Sequence, residues 1–314
     1  SGASNSSGAN ITQTLTATST SAGTATYTIM PTAGTCTGSI LVVPIMVNPI
    51  PTITATPTSQ TFCSGNTTSI ALTSGVAGTT YSWTVTQTNV SGASAASGSS
   101  IAQTISTTGT SQGTAVYTIT PTASSCSGTA VTATVTVNPV PSITSVSSAT
   151  ICSNQTVNIP FTSNVVSTYT WIATDNPTTT GESITTQTTS TLNNTIISTT
   201  GNTETVIYTV TPTSTGGSCA GTSQTVSVTI SPTPIVTITP TSQSICSGNT
   251  TSINLTSNVT GTIFNWTETQ TGVTGASASS GSSITQTLTT TGVTSGTVTY
   301  TITPTIGTCN GASA

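Results

Sequence analysis

One short stretch centred on a tyrosine occurs four times in the chain, and the same two landmarks follow each copy. A proline comes four residues after each tyrosine, and a Cys-x-Gly motif comes shortly after the proline. The four tyrosines are Tyr27, Tyr117, Tyr208 and Tyr300, and the cysteines of the four motifs are Cys36, Cys126, Cys219 and Cys309. These cysteines are spaced by 90, 93 and 90 residues. A period of this length corresponds to a whole small domain, because solenoid repeats have periods of about 20 to 50 residues.

Apolar residues in and around these stretches alternate with Ser and Thr. Alternation is typical of a half-buried β-strand, because successive side chains of a strand point to opposite faces of the sheet. Thr, Val, Ile and Tyr also favour strands. No stretch combines helical spacing with helix-capping residues. The sequence therefore predicts an all-β chain.

The repeat boundaries are marked by a Pro-x-Pro motif that begins at Pro49, Pro139 and Pro232. Two prolines one residue apart favour an extended backbone, so we expect short, stiff links and an extended rod. The predicted domains are residues 49–138, 139–231 and 232–314, the last without its final strand. Residues 1–48 match the second half of a repeat. Half a repeat buries little apolar surface, so we expect the natural chain to continue in both directions, or a neighbouring chain to complete the halves.

Each complete repeat is predicted to be a β-sandwich, because about six or seven short strands with regular turns fit into its ~90 residues. A single tryptophan at the same point of each repeat is typical of the central core residue between two sheets, although it is also the residue type of a sugar-binding platform. For the tyrosines we expect a structural hydrogen bond from the hydroxyl, with a ligand contact as the alternative. The predicted core residues are Trp83, Trp171, Trp266, Tyr117, Tyr208 and Tyr300.

The near absence of charge excludes several functions. The chain has no Lys, Arg or His, and its only acids are Asp175, Glu182, Glu204 and Glu268. Nucleic acid and anionic lipid are excluded as partners because both are bound by clustered Lys and Arg. We expect no enzyme activity, since no ordinary base that works near neutral pH is present. We also expect no metal or other cofactor, since the carboxylates are not clustered. No membrane insertion is expected either, because no apolar run approaches about 18 residues.

Seven cysteines without histidines predict disulfides in an oxidising, extracellular compartment rather than metal sites. Each complete repeat has one cysteine before its second strand and one after its tyrosine strand. The predicted pairs lie within repeats, with the partner of Cys36 outside the sequence: Cys63–Cys126, Cys152–Cys219 and Cys246–Cys309. One alternative is a bond between adjacent repeats, such as Cys63–Cys219, or between chains, because the two cysteines of an immunoglobulin-like domain tend towards opposite ends. The other alternative is free buried thiols.

The order Cys63, Trp83, Tyr117, Cys126 and then Val-Asn-Pro-x-Pro resembles the tandem PKD-like and immunoglobulin-like repeats of large cell-surface proteins of Bacteroidetes bacteria. The resemblance covers every repeat. It implies a stalk of an adhesin or a filamentous surface protein, secreted or held at the bacterial surface, whose role is extension and durability.

Sheet edges with few charges can pair with neighbouring chains, so the expected partners are other copies of the chain or adjacent repeats. A glycan or cell-surface ligand bound elsewhere in the full protein is a further possible partner. The competing hypothesis is an adhesive module whose repeats recognise glycans or surfaces directly. Under that hypothesis the most divergent repeat, residues 139–231 with its Asn193-Asn194 pair, is the first candidate.

Overall fold

The structure, a computed structural model, describes all residues 1–314 and contains strands but no helix. The all-β prediction is confirmed, and the chain consists of tandem β-sandwich repeats. It divides into two compact units. The first comprises Ser1–Val140 together with Ser214–Cys219, and the second comprises Pro141–Thr213 together with Ala220–Ala314. No helix has the length and apolar character that crossing a bilayer requires.

The strands are given by predicted repeat. The half-repeat at residues 1–48 contains β1 (Gly23–Ile29), β2 (Thr32–Ala33), β3 (Cys36–Thr37) and β4 (Leu41–Val47). The first repeat contains β5 (Thr54–Thr56), β6 (Ser59–Cys63), β7 (Asn66–Thr67), β8 (Ile70–Thr73), β9 (Thr80–Thr88), β10 (Val90–Ser91), β11 (Ala96–Ser97), β12 (Ser100–Ile101), β13 (Thr104–Thr107), β14 (Gly113–Ala123), β15 (Cys126–Ser127) and β16 (Val131–Asn138).

The second repeat contains β17 (Ser148–Cys152), β18 (Gln155–Thr156), β19 (Ile159–Pro160), β20 (Ser167–Ala173), β21 (Thr179–Thr180), β22 (Thr191–Leu192), β23 (Thr195–Ser198), β24 (Glu204–Ser214) and β25 (Gln224–Ser231). The third repeat contains β26 (Val236–Thr239), β27 (Asn249–Thr250), β28 (Ile253–Ser257), β29 (Ile263–Thr271), β30 (Val273–Thr274), β31 (Ser279–Ser280), β32 (Ser283–Ile284), β33 (Thr287–Thr290), β34 (Thr297–Ile306) and β35 (Cys309–Asn310).

The tyrosine strand β14 is the centre of the main sheet in the first repeat. This sheet has the order β11-β9-β14-β16-β6, and the smaller sheets β12-β8-β5 and β10-β13-β7 form the rest of the sandwich. Successive side chains of β14 are alternately buried and more exposed, as the sequence pattern predicts. The strand β6, which pairs in parallel with β16, is not evident from the sequence pattern. A break at Gln103 separates β12 from β13.

The second repeat has a main sheet arranged like that of the first, and the third repeat has the same arrangement without the last strand. The main sheet of the second repeat has the order β17-β25-β24-β20, and β17 pairs in parallel with β25 as β6 does with β16. The third repeat has the order β31-β29-β34-β35 and lacks a strand equivalent to β16 or β25. Only Ala314 pairs at that position, through two backbone hydrogen bonds with Ile302.

The predicted core residues lie where the sandwich closes. All three tryptophans are buried, and the Tyr117 and Tyr208 side chains are fully buried. In the second repeat the ring of Trp171 meets the ring of Tyr208 edge-on, with centroids 5.7 Å apart. Tyr300 is only half-buried, because the third repeat lacks the last strand, whose apolar residues are part of the core in the other two repeats.

Gly181 in the second repeat provides a test of how closely the backbone segments of the sandwich approach each other. Gly181 has a φ of +97°, and a Cβ atom there would collide with the backbone oxygen of Thr195. We expect Gly181→Ala to lower the free energy of unfolding of this repeat by about 2 kcal/mol or more, because it combines a strained φ with a backbone clash. The measurement is urea denaturation followed by the fluorescence of Trp171, with the other two tryptophans replaced by Phe.

The matched control is Gly216→Ala in the same repeat, since a Cβ atom at Gly216 meets no atom within 4 Å. This variant should remain within about 0.5 kcal/mol of the parent. Equal stability of the two variants would contradict the packing of the Gly181 turn.

Candidate functional site

Two disulfides connect different repeats. Cys63 is bonded to Cys219, with 5.6 Å between their Cα atoms, and Cys152 is bonded to Cys309, with 5.5 Å between theirs. The predicted pairing within repeats is therefore wrong for Cys63–Cys126, Cys152–Cys219 and Cys246–Cys309. The alternative that named Cys63–Cys219 is confirmed. Cys36, Cys126 and Cys246 are free thiols, of which Cys126 is half-buried and the other two are exposed.

Strand geometry in the first repeat explains why its two cysteines do not meet. Cys63 lies beside Asn138, at the end of β16 that pairs with Gly113, the start of β14. Cys126 pairs with Ala123, the last residue of β14. The 11 residues of β14 separate these two positions by roughly 33 Å at ~3.3 Å per residue. A disulfide spans Cα atoms only about 4.4 to 6.8 Å apart, so the pair cannot bond in the folded repeat.

The cysteines fall into two groups by their place in the repeat. The loop cysteines precede the second strand of a repeat and are Cys63, Cys152 and Cys246. The hairpin cysteines belong to the Cys-x-Gly motifs and are Cys36, Cys126, Cys219 and Cys309. Both disulfides join a loop cysteine to the hairpin cysteine of the following repeat. The bonded hairpin cysteines are buried, whereas the bonded loop cysteines are half-buried.

The glycine of the Cys-x-Gly motif holds the hairpin against the proline link at the start of its repeat. In the third repeat the N–H of Gly311 donates to the carbonyl oxygen of Pro304 at 2.8 Å, and a Cβ atom on Gly311 would collide with the carbonyl oxygen of Pro234. Gly128 and Gly221 make the same close approach to the second proline of their own links. Only glycine, which has no Cβ atom, fits such a close approach, and this explains why the motif contains a glycine.

A second feature repeated along the chain is a set of hydrogen bonds that we call the tyrosine clamp. In the first repeat the Tyr117 hydroxyl donates to Gln103 Oε1 at 2.7 Å, and the backbone N–H of Ser94 donates to the same oxygen at 3.0 Å. Gln103 Nε2 donates to the Ser94 carbonyl oxygen at 2.9 Å, which also accepts from Trp83 Nε1 at 3.1 Å. The clamp satisfies the buried ends of the tyrosine and the tryptophan together.

Each of the other three tyrosines also has a clamp partner 14 residues earlier in the chain. The partners of Tyr27, Tyr208 and Tyr300 are Gln13, Asn194 and Gln286. These bonds confirm the structural role predicted for the hydroxyls, and the constant spacing of 14 residues is the sequence signal that identifies the amides. The same finding places Asn194 inside the second repeat's clamp.

Three of the clamp tyrosines, Tyr117, Tyr208 and Tyr300, have raised pKa values that favour the neutral form. Burial raises the pKa of Tyr117 to about 12. Burial, followed by the charge of Glu182, raises the pKa of Tyr208, and burial followed by the charge of Glu268 raises that of Tyr300. A neutral phenol near pH 7 donates a hydrogen bond, so these hydroxyls act as structural donors.

The two glutamates of the second repeat accept hydrogen bonds from threonine hydroxyls. Hydrogen bonds from Thr178 and Thr200, both 2.6 Å long, lower the pKa of Glu204. Glu182 Oε1 accepts from the hydroxyl of Thr179 at 2.7 Å. No group of three or more His, Cys, Asp or Glu side chains that could hold a metal ion forms anywhere in the chain. The repeated features of this protein are therefore its disulfides and its clamps.

A family model described as a PKD-like domain matches three segments of the chain, residues 60–141, 149–234 and 243–314. The matched residues make up more than half of the chain. No curated protein matches it in sequence.

Solved structures with similar arrangements are distant. An adhesin of Escherichia coli, FdeC, is 16% identical, with a TM-score of 0.35 over 83% of this chain and 93% of that chain. The EC22-24 segment of mouse cadherin-23 is 12% identical, with a TM-score of 0.32 over 83% and 96%. The FN1-FN3 segment of chicken CNTN1 is 9% identical, with a TM-score of 0.29 over 84% and 96%. At these values the likenesses carry no argument about function.

The tyrosine clamp makes stability depend on pH in the alkaline range. In the unfolded chain a tyrosine loses its proton near pH 10, whereas Tyr117 in the folded repeat keeps it to about pH 12. The folded state therefore binds the proton more tightly. The stability that it gains is fully present below pH 10 and is lost as the pH rises from 10 through 12.

We expect Tyr117→Phe to flatten this part of the curve, while it costs about 1 kcal/mol near neutral pH through the lost hydrogen bond to Gln103. The measurement is urea denaturation at pH 8, 10 and 11.5, followed by Trp83 fluorescence in a chain whose other tryptophans are Phe. Parallel pH curves for the variant and the parent would contradict the role of the Tyr117 hydroxyl.

Proposed function

We propose, since this chain belongs to the PKD-like domain family, that it is the structural repeat region of a secreted bacterial surface fibre or giant adhesin stalk. Its role is to supply length and durability, without catalysis, and to assemble with other copies of itself. The observation that carries this proposal is the linkage of successive repeats by disulfides.

Bonds between repeats serve a load-bearing chain in a way that bonds within repeats do not. A bond within one repeat protects only that repeat. Here the closed segments overlap, because residues 152–219 lie inside both of them. Under tension the covalent route from Cys63 crosses to Cys219, returns along the backbone to Cys152, and crosses again to Cys309. This route contains 67 backbone steps instead of 246.

The composition supports the same role. Without Lys or Arg the chain offers no site to trypsin-like proteases, and contacts between nearly uncharged surfaces depend little on salt. Charged residues are also a usual protection of sheet edges against pairing with other chains, and this chain has almost none. Both properties suit an exposed fibre whose chains associate laterally or end to end.

The alternative function is an adhesive module whose repeats bind glycans or surfaces directly. The observation in its favour is the concentration of three of the four acids, Asp175, Glu182 and Glu204, in the second repeat. Its weakness is that Glu182 and Glu204 already accept hydrogen bonds from neighbouring threonines.

Force spectroscopy of the full chain tests the load-bearing role. Pulled from its two ends, the oxidised chain should release roughly 600 Å less length between Cys63 and Cys309 than the reduced chain, at ~3.3 to 3.6 Å per residue. A variant with both Cys152→Ser and Cys63→Ser should behave under oxidising conditions as the reduced parent does. Equal release from the oxidised and reduced parent would count against the proposal.

Cryo-electron microscopy of the protein as isolated from cells tests the fibre itself. We expect a continuous filament that repeats along its axis at about the length of one domain of ~90 residues. Separate flexible beads that end in a distinct globule would instead favour a stalk with its binding function elsewhere, and glycan binding by the beads alone would favour the adhesive module.

A further inference from the structure

A buried asparagine lies beside the Cys63–Cys219 bond, and the Cys152–Cys309 bond has a serine at the equivalent position. We propose that Asn138 is a positioning residue for the first bond, because its side chain seats the hairpin of the following repeat so that Cys219 meets Cys63. The proposal concerns how repeats become covalently linked, and it does not depend on whether the chain is part of a fibre.

The backbone of Asn138 holds the loop cysteine in place. The last strand β16 pairs in parallel with β6, which places Asn138 level with Cys63. The carbonyl oxygen of Asn138 accepts from the N–H of Ser64 at 2.8 Å, so the residue after the cysteine is fixed as well. One of the two sulfur atoms is therefore placed by backbone pairing alone.

The side chain of Asn138 is itself fixed in one direction. Asn138 is only 3% exposed, and its Oδ1 accepts from Gln112 Nε2 at 2.7 Å. Gln112 directly precedes β14, the strand that pairs with β16. A buried polar side chain costs free energy unless it is hydrogen-bonded, and the bond from Gln112 offsets this cost. The amide therefore forms a fixed surface at the end of the last strand.

The hairpin of the following repeat lies directly against this amide. A Cβ atom on Gly217 would collide with Cγ and Nδ2 of Asn138, so a residue other than glycine would push the hairpin away. Cys219 comes two residues later and is fully buried, with its Sγ atom 4.0 Å from the Asn138 carbonyl oxygen. The N–H of Cys219 donates to the hydroxyl of Ser214 at 3.1 Å, which holds the cysteine within its hairpin. The contact at Gly217 therefore sets the position of Cys219.

The second bond has the backbone part of this arrangement without the side-chain part. Cys152 lies level with Ser231, whose carbonyl oxygen accepts from the N–H of Ser153 at 2.8 Å. The glycine two residues before the bonded hairpin cysteine is Gly307 here, and a Cβ atom on it would meet no atom within 4 Å. The two sites differ in the contact between the last strand and the hairpin, so the second bond is an internal reference for the first.

Bond formation is a thiol oxidation with a step that depends on placement. With glutathione disulfide as the oxidant, the thiolate of one cysteine attacks it and releases one glutathione thiolate. The thiolate of the other cysteine then attacks the mixed disulfide and releases the second. The two protons of the cysteine thiols pass to the two glutathione thiolates, and two electrons reduce glutathione disulfide as the new S–S bond forms. The second attack is intramolecular, so it is the step that good placement accelerates.

The test measures both bonds in the same full-length chain. Cys36, Cys126 and Cys246 are replaced by Ser, so that only the cysteines of the two bonds react. The chain is reduced, the reductant is removed and glutathione disulfide is added. Samples are alkylated at intervals, digested with pepsin and analysed by mass spectrometry of the linked peptides.

The variants form a double-mutant cycle across the contact: Asn138→Ala, Gly217→Ala and the two changes together. Ser231→Ala is the matched control at the second site, and Asn138→Ser introduces the residue of that site into the first. The fluorescence of Trp83, in reduced chains whose other tryptophans are Phe, verifies that the first repeat remains folded.

We expect Asn138→Ala and Gly217→Ala each to slow the intramolecular step of the first bond by about tenfold, because either change displaces the hairpin. The second bond should change by less than about twofold, and Ser231→Ala should leave both bonds within the same limit. The double variant should be no slower than the slower single variant, because both changes remove one contact. Asn138→Ser should also slow the first bond alone.

Three outcomes would overturn the proposal. The first is an unchanged rate for the Cys63–Cys219 bond, and the second is an equal slowing of both bonds. The third is a loss of roughly a hundredfold in the double variant, because effects that multiply belong to two independent structural changes. If Asn138→Ala unfolds the first repeat, Asn138→Ser and Gly217→Ala provide the same comparison.

Discussion

The antiparallel ladder between the tyrosine strand and the last strand is the constraint on which the other features depend. In the first repeat it runs from Gly113 paired with Val137 to Ile119 paired with Val131. The ladder is long and unbroken, so it separates the two ends of the repeat by most of the length of a domain. A loop cysteine placed beside one end and a hairpin cysteine placed beyond the other can meet only cysteines of other repeats. The same ladder brings the tyrosine over the core, where its hydroxyl reaches the clamp amide.

Hydrogen bonds between uncharged side chains replace the ion pairs that are common on other protein surfaces. Threonine hydroxyls pair across neighbouring strands, as between Thr67 and Thr104 at 2.8 Å and between Thr250 and Thr287 at 2.9 Å. Glutamine and asparagine side chains close the clamps, and threonines hold the carboxylate of Glu204. Such bonds do not weaken with salt as exposed ion pairs do. A chain made in this way keeps its surface contacts over a wide range of ionic strength.

The sequence predicted the features that depend on local periodicity. Alternation identified the strands around Tyr117 and the buried position of Trp83, because side-chain direction along a strand follows directly from residue order. It missed β6 because that strand is defined by a parallel partner about 75 residues later, β16, rather than by its own pattern. The pairs predicted within repeats were wrong because the regular spacing favoured them, whereas the folded sheet holds the two cysteines of a repeat at opposite ends. Alternation missed Gln103 because a single polar residue in a strand region looks like an exposed one.

Each disulfide joins a loop cysteine to a cysteine of the repeat that follows, and this direction determines the order in which the protein matures. Each bond joins residues 156 or 157 positions apart, so a loop cysteine waits until the whole following repeat has emerged and folded. During that interval the hairpin cysteine of its own repeat is already present, yet the folded ladder keeps the two apart and so prevents the wrong bond. Each disulfide therefore forms only after the repeat that follows its loop cysteine has folded. In a chain synthesised from its amino end, the most recently finished repeat always carries an open thiol, and its folding seals the repeat before it.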